Sequence, residues 1–131
     1  MTALVTIVAT LTAATPAPVT LTVRYSSGSQ IQRVAHLRCR GASARADGFL
    51  RASGPHGACA RARKIAAFLA RRPNPKRICT QIYGGPQRAR ITGTIGTTRI
   101  DRAFKRTNGC EIADWQYAVP LLPRVHAGLM P

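Results

Sequence analysis

Acidic residues are the scarcest feature of this chain: Asp47, Asp101, Glu111 and Asp114 are the only four in 131 residues. Few general acids or bases are therefore on offer. No serine, histidine and aspartate combination carries a catalytic motif around it, so the sequence gives an enzyme no support. C-x-x-C pairs are also missing, and His36, His56 and His126 are scattered. A zinc site normally takes two ligands from one tight turn, so no metal and no cofactor is expected. One Trp, three Tyr and three Phe are all the aromatics present, and none repeats through the basic stretches. A single-strand binder would lack stacking platforms, and no specific nucleic acid is expected as partner. No apolar run is long enough to span a bilayer.

What the chain has in excess is positive charge, with 20 Lys plus Arg, 17 of them Arg, and a formal net charge of +16. Such an excess attracts polyanions in a salt-sensitive way. The basic residues are spread along the whole chain instead of forming one block. A cationic polyanion-binding or antimicrobial secreted protein is therefore the alternative reading. Residues 1–18 have the opposite character: they are apolar and threonine-rich, end in the small residues "AATPAP", and precede the first charged side chain, Arg24. They read as the apolar region and cleavage zone of a signal peptide, without its usual basic start, or as a disordered arm. Export agrees with the four cysteines, because disulfides persist in oxidising compartments. The expected organisation is a leader over 1–18, one domain over 19–123 and a flexible tail over 124–131, in a secreted, extracellular protein.

Periodicity places the elements. "VTLTVRY" at 19–25 alternates Val19, Leu21, Val23 and Tyr25 against Thr20, Thr22 and Arg24, which predicts a strand with one buried face. "SSGSQ" is turn-like, and 31–38 predicts a second strand in a hairpin with the first. Residues 40–57 show no sustained period and read as loop. From Ala58 to Arg72, Ala62, Ile65, Phe68 and Leu69 recur at helical spacing. This predicts a core-facing helix, with a membrane-surface helix as the other reading. "RRPNPKR" ends it. Two further strands are expected over 87–94 and 99–106, joined at "GTT", and a short helix over 111–119 with Ile112, Trp115 and Val119 inward. The stretch from 121 onward shows no pattern and reads as mobile.

Cys39, Cys59, Cys79 and Cys110 allow three disulfide pairings. The simplest joins Cys39 to Cys59 and Cys79 to Cys110, and the second would stiffen "CTQIYGGP" at 79–86 and bring "TNG" at 107–109 beneath it. A stiff, extended and exposed segment is what a protease inhibitor needs, because a loop held in its bound shape loses little entropy on docking.

"CTQIYGGPQ" at 79–87, "ITGT" at 91–94, Phe104 followed by "TNGCEI" at 107–112, and "LTVRY" with "SGS" at 21–29 together resemble the Streptomyces subtilisin inhibitor family of secreted protease inhibitors. The resemblance spans about residues 21–123. It implies an α+β fold, a five-stranded antiparallel sheet packed with two helices, with two disulfides paired as above and a homodimer formed through the sheets. It also implies a reactive bond between Gln81 (P1) and Ile82 (P1′). Cys79, Thr80, Tyr83 and Gly84 then form the rest of the protease-binding loop, and Asn108 and Cys110 support it, the Asn108 amide hydrogen-bonding loop carbonyls. A neutral Gln81 suits subtilisin-like serine proteases with a tolerant S1 pocket; trypsin-like enzymes, which want Arg or Lys at P1, would be bound weakly.

Overall fold

In a computed structural model, residues 2–10 and 14–125 are described. Five strands, β1 (Val19–Ser26), β2 (Gln32–Arg40), β3 (Ser43–Ala46), β4 (Arg88–Ile95) and β5 (Thr98–Phe104), form one antiparallel sheet in the order β3-β2-β1-β4-β5. Four helical segments, α1 (Gly48–Ser53), α2 (Pro55–Lys64), α3 (Ala66–Ala70) and α4 (Gly109–Ala118), accompany it. The disulfides are Cys39–Cys59 and Cys79–Cys110. This is the architecture that the resemblance implies, with more helical segments than the two expected.

Strand alternation decides the two faces of the sheet. Val19, Leu21 and Val23 of β1, Ala35, Leu37 and Cys39 of β2, Ile91 and Ile95 of β4, and Ile100 and Phe104 of β5 are buried under the helices. Leu50 of α1, Ala58 and Ala62 of α2, Leu69 of α3 and Trp115 of α4 close the core from the other side. Each fully buried Leu or Ile contributes roughly 1.5–3 kcal/mol, so this one layer of contacts is the main source of stability. The opposite sheet face is open. It carries Thr20, Thr22, Thr92 and Thr94 together with Arg24, Arg38, Arg40, Arg45, Arg88, Arg90 and Arg99. Basic residues dispersed along the sequence are thus gathered on one surface, because outward positions of neighbouring strands lie side by side.

Several expectations are corrected. Residues 40–57 are not loop: they hold β3, α1 and the start of α2. β3 is a four-residue edge strand whose inward side chains are only Ala44 and Ala46, so its hydrophobic alternation is too weak to register in sequence. The helix expected over 58–72 starts earlier, at Pro55, a favoured first-turn position, and breaks at Ile65 into α2 and α3. Its apolar stripe, Ala62, Ile65 and Leu69, is buried against the sheet and is not free to enter a membrane. Nor is the chain mobile from 121: Leu121 and Leu122 are fully buried, and the Trp115 indole N–H donates to the Pro123 carbonyl at 2.8 Å. Neither residue shows a period because they enter the core as a non-helical pair after a cis Val119–Pro120 bond. Most of the tail expected over 124–131 lies outside the described residues, as do parts of the leader over 1–18. The described part of that leader has no regular element and is exposed, and packing begins where the Ala17 and Pro18 carbonyls accept from Arg63 Nε and the Gly96 N–H at 2.8 and 2.7 Å.

Candidate protease-binding loop

Between α3 and β4 the chain runs for 17 residues, 71–87, without a regular element. Two prolines, Pro73 and Pro75, prevent helix continuation, and Gly84, Gly85 and Pro86 delay the next strand. The segment is nonetheless tied down at both flanks of Gln81–Tyr83. On the N-terminal flank, Cys79 is bonded to Cys110 in the first turn of α4, and the Thr80 carbonyl accepts from the Gly109 N–H at 2.9 Å. On the C-terminal flank, the Gly84 N–H donates to the Arg106 carbonyl at 2.7 Å, and the Gly84 carbonyl accepts from Arg106 Nε at 3.2 Å. Three residues remain as a crest between these anchors. Gln81 is exposed, Ile82 is 60% exposed and Tyr83 65%.

The two glycines are required by this close approach. A Cβ on Gly109 would collide with Thr80 Oγ1, and one on Gly84 would come within 2.7 Å of Ile112 Cγ1. Asn108 caps α4: its Oδ1 accepts from the Glu111 N–H at 3.0 Å. The expected bond from its amide to loop carbonyls is not among those formed. That contact is made by the backbone of the next residue. Asn108 and Gln81 do share the wall of one cavity of about 600 Å³ beside the loop. Glu111 completes the turn by accepting from the Thr107 N–H at 2.8 Å and the Thr107 hydroxyl at 2.6 Å, a capping box displaced by one residue. Partial burial alone would raise the Glu111 pKa, but the two Thr107 donors, with Lys105 and Arg77 nearby, hold it below the usual carboxylate value.

Three features of the candidate site escaped sequence reasoning. Arg106, only 3% exposed, straps Gly84 and lies over the Trp115 ring with its guanidinium carbon 5.7 Å from the centroid. Burial lowers its pKa, yet an arginine stays charged, so the carbonyl and the ring face are its compensation. Arg102, 5% exposed, sits between the Phe68 and Phe104 rings and donates to the Phe68 and Arg71 carbonyls at 2.6 and 3.0 Å and to Asp114 at 3.3 Å. Arg77 reaches the same Asp114 oxygen at 2.8 Å, which fixes the chain two residues before Cys79. Desolvation pulls the Arg102 pKa down, whereas the more exposed Arg77 is raised by its hydrogen bond to Asp114. The third is Ile78, immediately before the disulfide and 99% exposed. An outward arginine and an inward arginine look alike in sequence; an apolar residue left in a proline-bounded loop was the one legible signal.

No protein-family model matches the chain, and no curated protein does. Among solved structures, one similarity is to Streptomyces caespitosus sermetstatin, captured in complex with Bacillus licheniformis subtilisin. Identity is 19%, the match covers 80% of this chain and 98% of that chain, and the TM-score is 0.44.

Proposed function

We propose that this chain is a secreted protein inhibitor of subtilisin-like serine proteases, with Gln81-Ile82 as its reactive bond. The observation that carries the reading is the exposed crest Gln81–Tyr83, held between the Gly109–Thr80 and Arg106–Gly84 anchors and next to the Cys79–Cys110 disulfide. Ordering such a loop is already accomplished in the free protein, so little entropy is lost on docking.

In this reading the protease serine approaches the Gln81 carbonyl, whose oxygen enters the oxyanion hole. Cys79 and Thr80 lie in the protease's non-primed sites with Ile78 beyond them at P4; Ile82, Tyr83 and Gly84 lie in the primed sites. If the peptide is cut, the new Ile82 amine belongs to a chain still fastened at Gly84. It stays near the acyl carbon, and religation competes with hydrolysis. Gly109 holds the P2 carbonyl, and Asn108 and Cys110 act through the α4 turn that presents it. The protein is not an enzyme in its own right and uses no cofactor or metal. Residues 1–18 are its export leader and 19–123 its inhibitor domain.

The sheet-to-sheet homodimer that the resemblance implies would lay one outer face on another. With seven arginines on each face, such association needs salt to screen it.

Titration of active subtilisin with the purified protein tests the function. Inhibition should be stoichiometric, with an end point at equimolar inhibitor and little change between low and moderate salt. Inhibition that vanishes at moderate salt would favour the cationic polyanion-binding alternative.

A further inference from the structure

The two halves of the loop are held by different kinds of bond. On the side of Gln81 the chain is fastened covalently, through Cys79–Cys110, with the Gly109–Thr80 hydrogen bond beside it. On the side of Ile82, residues 82–87 carry no cysteine, so everything that holds them is noncovalent. Their first hold is Gly84, and one residue makes it in both directions. The Arg106 carbonyl accepts from the Gly84 N–H at 2.7 Å, and Arg106 Nε donates to the Gly84 carbonyl at 3.2 Å. Pro86 is the next, packed so closely on the β1–β2 turn that a Cβ on Gly28 would come within 2.7 Å of Pro86 Cγ.

Arg106 reaches this place by strand alternation. Arg102 and Phe104 are inward positions of β5, and Arg106 continues the pattern two residues beyond the end of the strand. Its guanidinium is buried beside Trp115, Nη1 has no partner among the described residues, and the Gly84 carbonyl is the acceptor it reaches. A buried charged donor with part of its hydrogen-bonding capacity unused destabilises a fold, and an apolar side chain of similar length would fill the space without that loss. What the arginine supplies in return is a hold on Gly84.

We propose that Arg106 is the positioning residue of the primed half: it keeps the new Ile82 amine at the acyl carbon after cleavage and so sets the ratio of cut to intact inhibitor. This role rests on the Gln81-Ile82 reactive bond. In the acyl-enzyme the protease serine is esterified to the Gln81 carbonyl carbon, and the chain beyond the cut begins at Ile82. Religation is attack by the Ile82 nitrogen lone pair on that carbon. The C–N bond re-forms, the ester C–O bond breaks, and the amine proton passes through the protease histidine to the departing serine oxygen. Its rate follows the effective concentration of the amine. With Gly84 held, two residues, Ile82 and Tyr83, are free and reach about 7 Å. Released from Arg106, the free end lengthens to four residues, 82–85, before Pro86 holds it. Effective concentration falls as roughly the −3/2 power of tether length, so this doubling lowers it about threefold before any loss of orientation. The disulfide cannot replace the hold, because it lies on the acyl side of the cut.

The test brings the native chain, Arg106→Met and Arg61→Met each to equilibrium with a catalytic amount of subtilisin and reads the cut-to-intact ratio by mass after disulfide reduction. Arg61 is the matched control. It too donates to a carbonyl, that of Tyr117, and lies over an aromatic ring, 4.6 Å from the Tyr117 centroid, but it bonds to no loop residue among those described. Arg106→Met should raise the ratio about threefold or more and shorten the lifetime of inhibition. Its association rate constant should stay within about twofold of the native value, because the intact loop still presents Gln81. Arg61→Met should leave the ratio as it is in the native chain. A residue that only stabilises the fold supports cut and intact chains alike, so it moves the melting temperature and not the ratio. A second measurement needs no variant: in the cut native protein the Gly84 amide should stay protected from hydrogen exchange while the Tyr83 amide exchanges freely. An unchanged ratio in Arg106→Met, equal rises in both variants, or a Gly84 amide that loses protection on cleavage would overturn the role of Arg106 and leave the reactive bond in place. A first cut of the native chain at any other bond would remove the reactive bond itself, and this role with it.

Discussion

Gln81 and Gly109 separate two things a reactive loop needs at the residue scale, a side chain for the protease pocket and a backbone held still beneath it. Gln81 contributes a neutral amide to an exposed crest and makes no hydrogen bond among the described residues that its replacement would break. Gln81→Lys should therefore leave the fold intact and raise affinity for trypsin at least tenfold, because a lysine reaches the aspartate in that enzyme's S1 pocket. An unchanged trypsin inhibition constant would remove Gln81 from P1. Gly109 lies directly under Thr80, where any Cβ collides with Oγ1. Gly109→Ala should push Thr80 away, lengthen the 2.9 Å Gly109–Thr80 bond, and weaken subtilisin inhibition about tenfold, near 1.4 kcal/mol. Undiminished inhibition would show that this anchor does not hold the P2 carbonyl. The segment that forms the exposed crest was legible in sequence because a cysteine and a short run of distinctive neighbours mark it. The anchors were not, since backbone N–H groups and the inward turn of Arg102 and Arg106 depend on which strand face each residue occupies.

Elements decide how long the loop keeps its shape. The α4 turn supplies three supports at once: Cys110 for the disulfide, Gly109 for the hydrogen bond, and Asn108 with Glu111 for the cap. Glu111 has its pKa lowered in the folded protein, so it contributes stability above the unfolded value near 4.3 and loses it as pH falls through the lower folded value. Acid titration followed by amide exchange should show the Thr107 and Glu111 amides losing protection below about pH 4, ahead of the β1–β4 amides, and Glu111→Gln should remove that pH-dependent step. Simultaneous loss in turn and sheet would contradict a local role for the cap. β1, β4, β5 and α4 were readable because their alternation or amphipathic spacing is strong. β3 and α1 were not: Ala44 and Ala46 are too small to mark a buried face, and α1 has Leu50 as its one fully buried side chain. Leu121 and Leu122 look like tail because their burial is set by Trp115 and the chain path after Pro120, neither of which has a period.

For the whole molecule, charge and shape are divided between two surfaces. The crest stands on one edge, while the sheet's outer face collects arginines that the sequence shows only as dispersed. Two such faces packed about 10 Å apart would repel most at low salt, where the Debye length is comparable or longer. Sedimentation across roughly 0.05–0.5 M salt should therefore show the dimer fraction rising with ionic strength. A fraction that falls with salt would mean that the association uses another surface. Closing the 31-residue separation between Cys79 and Cys110 adds roughly 3–4 kcal/mol to the fold by the chain-entropy model, yet its more specific effect is on the loop.

Intact-mass analysis during prolonged incubation with excess and with equimolar subtilisin, run on the native chain and on Cys79→Ser with Cys110→Ser, tests the central claim most directly. The native domain should stay whole or show one slow cut between Gln81 and Ile82 while the protease remains inhibited. The variant should be cut at that bond quickly and release active enzyme. A first cut elsewhere in 19–123, or a variant that inhibits as durably as the native protein, would contradict the account.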